Sequence, residues 1–108
     1  MKRTAQTTFH AIASPTRRKL LDALVHGEKS VGDLVEAMDV TQGAVSQQLA
    51  VLERAGLVTQ RAEGRFRFYS VRPEPLALVD QWLRGYRDFV AGRLDVLGAV
   101  LDQMEKEK

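Results

Sequence analysis

The sequence predicts a mainly α-helical chain with one small β-hairpin, and three stretches carry that expectation. Two short amphipathic segments, split by three residues that break the pattern, fill positions 30–56. A run rich in Val, Thr, Phe and Tyr follows at 57–71, and a long apolar-patterned segment occupies 75–104. With 108 residues, the chain is expected to form one domain over 1–108, because a core of this size buries roughly two-thirds of the unfolded surface. Hydrophobic residues at 44% and charged residues at 28% exclude a disordered chain.

Residues 1–13 begin polar and turn weakly apolar at Phe9 and Ile12, a frayed lead into a first short helix. Ser14-Pro15 starts a clearer one, with Ser as cap and Pro at the first helical position, where its missing amide costs nothing. Leu20, Leu21, Leu24 and Val25 are expected on its buried side, and Gly27 ends it. Arg17, Arg18 and Lys19 sit near its start, where the helix dipole disfavours cations. They are read as a solvated charge run, with a phosphate-facing patch as the alternative.

Ser30 can cap the next helix and Asp33 completes a capping box. Val31, Leu34, Val35 and Met38 then follow at helical spacing. Asp39, Val40 and Thr41 interrupt the pattern, and Thr41 caps a second helix that buries Val45, Leu49 and Leu52, with Leu57 just past Gly56. Its other face carries Gln42, Gly43, Ser46 and Gln47. A solvated face is usually rich in Lys and Glu. Gln and Ser both donate and accept, as reading base edges in a major groove requires, and a small residue such as Gly43 permits close backbone approach. Two helices so arranged form a helix-turn-helix with the second as reading helix. The bland alternative is a helical hairpin with a polar outer face.

The segment 57–71 reads as a hairpin with Glu63-Gly64 at its tip and Arg61, Arg65 and Arg67 clustered round it. Behind a helix-turn-helix, a hairpin is a wing whose cations meet phosphates or a minor groove. Equally, edge strands carry positive charge to resist aggregation. Alternation fails at Phe66, Phe68 and Tyr69, so the core-facing aromatic stays open.

Past Pro73 and Pro75, one helix of about 45 Å is expected to about Met104. It carries two apolar stripes, including Leu78, Trp82, Tyr86, Phe89 and Val90, more than a small domain can cover. The surplus points to a second copy in a two-fold dimer; the alternative is a helix folded back within the monomer, since Gly85, Gly92 and Gly98 permit a kink. Asp80, Arg84 and Asp88 follow at successive i, i+4 spacing and read as surface ion pairs.

In this order of elements the chain resembles the ArsR family of bacterial winged-helix repressors. The likeness is carried by SPTRRKLLDAL at 14–24, TQGAVSQQLAVLERAGLV at 41–58 and EGRFRFYSV at 63–71. The resemblance implies a homodimer that binds a palindromic operator in double-stranded DNA and represses transcription, often of its own operon. It implies DNA contacts at Thr41, Gln42, Ser46 and Gln47, places Arg65 in the wing, and puts the dimer interface on the first and terminal helices. Phe9, Ile12, Leu78, Trp82, Tyr86, Phe89 and Val90 are the candidates there.

The departures from that family matter. The chain has no cysteine, and Asp80, Asp88, Asp95 and Asp102 on the terminal segment have no histidine beside them. His10 and His26 are not at ligand spacing. No metal or cofactor is therefore expected, and an autoregulatory, metal-independent repressor fits better. No nucleophile with a neighbouring base and no phosphate-cradling loop is present, so no catalytic residues are assigned. Two rival readings remain. One is a repressor released by a small organic ligand or metal at the dimer interface, with Trp82, Tyr86 and Phe89 lining the pocket; the other is a winged helix used for protein contacts. No apolar run approaches the roughly 18 residues of a membrane span, and the start lacks a signal-peptide core, so a cytoplasmic location is expected.

Overall fold

The computed structural model describes residues 5–106; the polar residues 1–4 of the expected lead lie outside them. The chain runs α1 (Ala5–Ile12), α2 (Pro15–Leu24), β1 (Lys29–Ser30), α3 (Val31–Met38), α4 (Gln42–Arg54), β2 (Val58–Glu63), β3 (Phe66–Val71), α5 (Leu76–Arg84) and α6 (Arg87–Lys106). The strands form an antiparallel sheet in the order β1-β3-β2. No residue pattern announces β1, whose two residues pair with Tyr69 and Phe68.

Local chemistry sets most boundaries. The Ser14 hydroxyl accepts from the Arg17 amide at 3.3 Å, with Pro15 opening α2. Ser30 and Asp33 form the reciprocal capping box of α3, at 3.1 and 3.3 Å. Asp39 ends α3 in the left-handed region, φ 52°, and the Thr41 hydroxyl caps α4 by accepting from Ala44 at 3.1 Å. At the far end of α4 the Leu57 amide returns to the Leu52 carbonyl and the Gly56 amide to Glu53, each at 2.9 Å. Gly56 takes φ 77°, the left-handed position this helix stop reserves for glycine.

The core is Leu20 and Leu24 of α2, Leu34 of α3, Val45, Leu49 and Leu52 of α4, then Ala55, Leu57 and Val58, with Ala11 of α1. Val25 departs from expectation at 67% exposed. Leu20 and Leu24 hold the row facing the core, whereas the Leu21–Val25 row lies further round the helix, where Leu21 is half-buried and Val25 leaves the core edge as the helix ends.

The hairpin pairs Val58 with Val71 through Glu63 with Phe66, so its two-residue turn is Gly64-Arg65, one position later than expected. Gly64 has φ 62°, as the first position of such a tight turn demands. Of the aromatics left open, Tyr69 packs against the core, Phe68 is half-buried and Phe66 is 63% exposed.

The expected single terminal helix is interrupted. Gly85 and Tyr86 donate three residues back, to Trp82 and Leu83 at 3.2 and 2.9 Å, and this tightened turn separates α5 from α6. Arg84 bridges Asp80 at 2.9 Å, while Asp88 falls in the next helix. Phe9 of α1 meets Trp82 of α5 edge-to-face at 5.5 Å. No described residue of α6 is buried.

Candidate nucleic-acid interface

Because Val45, Leu49 and Leu52 anchor α4 in the core, the helix presents Gln42, Gly43, Ser46 and Gln47 to solvent. Gln42 and Ser46 lie one turn apart in one row, Gly43 and Gln47 in the next. A Cβ added at Gly43 would meet nothing within 4 Å, so the protein's own packing does not require glycine there. Thr41 spends an oxygen lone pair on its cap and keeps its O–H to donate. Gln48 is half-buried and turned inward.

The hairpin folds back beside this face. Between them runs a groove of about 400 Å³ whose walls include Gln42 and Ser46 from α4, Arg65 and Arg67 from the hairpin, and Ser30 and Tyr69. Burial, then the nearby Glu53 carboxylate, holds the Tyr69 phenol above its ordinary pKa, which keeps it a neutral donor. The structure thus joins four of the candidate DNA residues in one groove, with Thr41, Gly43 and Gln47 on the exposed face of α4 alongside.

Arg61 does not cluster at the tip as the sequence suggested. It pairs with Phe68 and Arg67 pairs with Ala62, and neighbouring positions along a strand point to opposite faces of the sheet. Arg61 lies over the Phe68 ring at 4.8 Å. Its guanidinium reaches both Glu28 oxygens, at 2.5 and 2.9 Å, and Glu63 at 2.7 Å. That hydrogen bonding holds the Glu28 carboxyl below its ordinary pKa and raises the guanidinium's. Arg65, by contrast, has no carboxylate partner among the described residues. Arg67 donates to the Gln60 side-chain oxygen at 3.0 Å, and the Gln60 amide donates to Glu53 at 2.7 and 3.2 Å.

Arg18 and Lys19 are exposed, as expected of a solvated run, whereas Arg17 is half-buried. Arg17 and Arg18 donate to the carbonyls ending α1: Arg17 to Ala11 at 2.6 Å and His10 at 3.1 Å, Arg18 to Ile12 at 2.8 Å. A neighbouring helix's C-terminus, unlike their own helix's N-terminus, favours cations. Sequence reasoning missed these caps, and with them Glu28, Gln48 and Gln60, because each partner arrives from a distant element.

On the opposite side, Trp82 stacks on Tyr86 at 5.2 Å, and Trp82, Tyr86 and Phe89 remain 52%, 49% and 63% exposed. They form a ridge. Leu78 and Ile12 are half-buried and Val90 is exposed. His10 and His26 are exposed, and among the described residues no three His, Cys, Asp or Glu side chains gather to hold a metal. No described helix is long and apolar enough to cross a membrane.

A helix-turn-helix with a Gln/Ser outer face, flanked by a β-hairpin whose arginines share its groove, defines a winged-helix DNA-binding protein. Comparison with known proteins narrows this. Residues 14–60 match the bacterial regulatory protein, arsR family. The transcriptional repressor SdpR of Bacillus subtilis is 32% identical over 78 residues, covering 72% of this chain and 87% of that protein. The HTH-type transcriptional regulator Rv2034 of Mycobacterium tuberculosis is 40% identical over 75 residues, 69% of this chain and 70% of that one. Among solved structures, a possible transcriptional regulator for arsenical resistance superposes with TM-score 0.67 at 38% identity, over 78% of this chain and 93% of its own. The chain belongs to the ArsR family and is a DNA-binding transcriptional regulator rather than an enzyme.

Proposed function

We propose that the chain is a cytoplasmic, homodimeric, metal-independent repressor that binds a palindromic operator, that of its own operon in the simplest case. The observation that carries the DNA-contact assignment is the groove uniting Gln42 and Ser46 with Arg65 and Arg67. Thr41, Gly43 and Gln47 extend the reading face. In this arrangement glutamine and serine read base edges while the wing arginines clamp phosphates, and occupancy of the operator blocks polymerase. Dimerisation is supported by the ridge of Trp82, Tyr86 and Phe89 and by Val90, Leu94 and Leu97 of α6, all of which stay 41% or more exposed. Phe9, Ile12 and Leu78 adjoin it. Two-fold pairing sets the reading helices about one DNA turn, roughly 34 Å, apart. Metal independence is supported by the absence of cysteine and the exposed histidines.

The test is fluorescence anisotropy with the duplex upstream of the protein's own gene against a scrambled duplex, across a salt series and with chelator present. Preference of about 1,000-fold or more supports an autorepressor. Equal affinity for both would sink that reading.

A further inference from the structure

Nothing in the sequence marks Gln60 for a role, yet it stands between the reading helix and the wing. Its side-chain nitrogen donates to both oxygens of Glu53, in the last turn of α4, and its side-chain oxygen accepts from Arg67 on β3. The amide has one workable orientation. Flipped, its oxygen would face a carboxylate and its N–H groups a guanidinium, losing every bond. The line from carboxylate through amide to guanidinium is also polarised in one direction, so each bond strengthens the next.

The recipient gives the chain of bonds its consequence. Arg67 lines the groove opposite Gln42 and Ser46, and its other described surroundings supply no carboxylate. An arginine on a long flexible stem adopts many rotamers unless something selects one. Here the selecting group is tied to the reading helix itself. We infer that Gln60 is a positioning residue that sets the Arg67 guanidinium at a fixed height over the reading helix, preorganised for a DNA phosphate. This rests on the reading of Arg67 as a backbone contact. It adds that the contact is held from α4, through Glu53, and not by the hairpin alone.

The experiment uses the full chain and a mixed-sequence duplex, so no operator need be known. Binding is followed by anisotropy over a salt series for the wild type and for Arg67→Ala, Gln60→Met, their double variant, Gln60→Glu and the swap Glu53→Gln/Gln60→Glu. Arg67→Ala should lower the salt slope by about 0.9 per protomer, which is roughly an eightfold loss of affinity for each protomer in contact at about 0.1 M salt. Gln60→Met, close in shape but unable to make the bonds, should cost at least about threefold, and the double variant no more than Arg67→Ala alone. Gln60→Glu sets two carboxylates together and should bind no better than Gln60→Met. In the swap the amide and the carboxylate trade places at unchanged net charge. The amide, now on α4, donates to the carboxylate, now on β2, which in turn accepts from Arg67. The bonded line and its stability should return, but a carboxylate set directly on Arg67 neutralises it as Glu28 and Glu63 do Arg61, so the swap should bind DNA no better than Gln60→Met.

A merely structural glutamine would not show the shared loss, and with it a swap that restored the unfolding midpoint would restore DNA affinity as well. Thermal unfolding midpoints are taken for every variant, and the swap stands as the test where Gln60→Glu does not fold. If Gln60→Met binds like wild type while Arg67→Ala does not, or if the two losses multiply, the positioning role is overturned. If Arg67→Ala itself binds normally, the backbone contact fails and the inference falls with it.

Discussion

Arg17 of α2 donates through Nη1 to the Gln48 side-chain oxygen on α4 at 2.8 Å, while its other nitrogens hold the carbonyls of His10 and Ala11. One guanidinium therefore joins α1, α2 and the reading helix, and no other side chain has the fork to do so. Arg17→Ala is expected to lower stability by about 1.5–3 kcal/mol, the range for hydrogen bonds to a charged group. Arg17→Lys should recover less than half, since an ammonium cannot span three acceptors. Urea unfolding at constant m-value measures both; a midpoint unchanged in Arg17→Ala would show that the link carries no stability.

Gln47 lies on the exposed row of α4 beside Gly43. Gln47→Ala should weaken operator binding by about 1–3 kcal/mol and leave scrambled duplex nearly untouched. Equal losses on the two duplexes would remove Gln47 from base reading.

The wing arginines should separate by their partners. Arg65→Ala is expected to reduce the salt slope of DNA binding by about one per protomer. Arg61→Ala should leave that slope close to wild type, since its charge already faces Glu28 and Glu63. A slope change as large as that of Arg65→Ala would return Arg61 to the phosphate contacts.

The same pair gives a pH signature. The Arg61 hydrogen bond lowers the Glu28 pKa in the folded chain, so the folded state favours the ionised carboxylate. That contribution is present above the unfolded glutamate value and disappears as pH falls through the folded one. Glu28→Gln should therefore flatten part of the acid limb of stability against pH, with no change in slope well above the carboxylate range. An acid limb identical to wild type would mean the bridge is screened to nothing.

Trp82 is 52% exposed where it touches Phe9 and Tyr86. Trp82→Asp should shift sedimentation from dimer to monomer and cost operator affinity. A dimer that persists places the two-fold contact elsewhere.

What was legible in the sequence was local. Ser14, Ser30, Thr41 and Gly56 act within a few residues of themselves, so the bounds of α2, α3 and α4 follow from side-chain chemistry. The groove itself was partly legible, because the Gln/Ser face needs only helical phase. Strand facing was not: a one-residue difference in ladder position sends Arg61 and Arg67 to opposite sides, and register is set by the turn at Gly64-Arg65. Equally hidden were Arg17 and Gln60, whose roles depend on which distant acceptor tertiary packing delivers. The break at Gly85-Tyr86 was legible only as a kink that Gly85 permits, because apolar residues continue across it and one tightened turn barely disturbs their spacing.

Ser30 serves two structures at once. It is paired with Phe68 across the sheet, and its side chain and amide close the capping box of α3. No spacer separates the two duties, so wing and helix pair lack a hinge on this side. A shift of β3 against β1 would strain the same residue that caps α3, so the hairpin is coupled directly to the helix on which α4 packs.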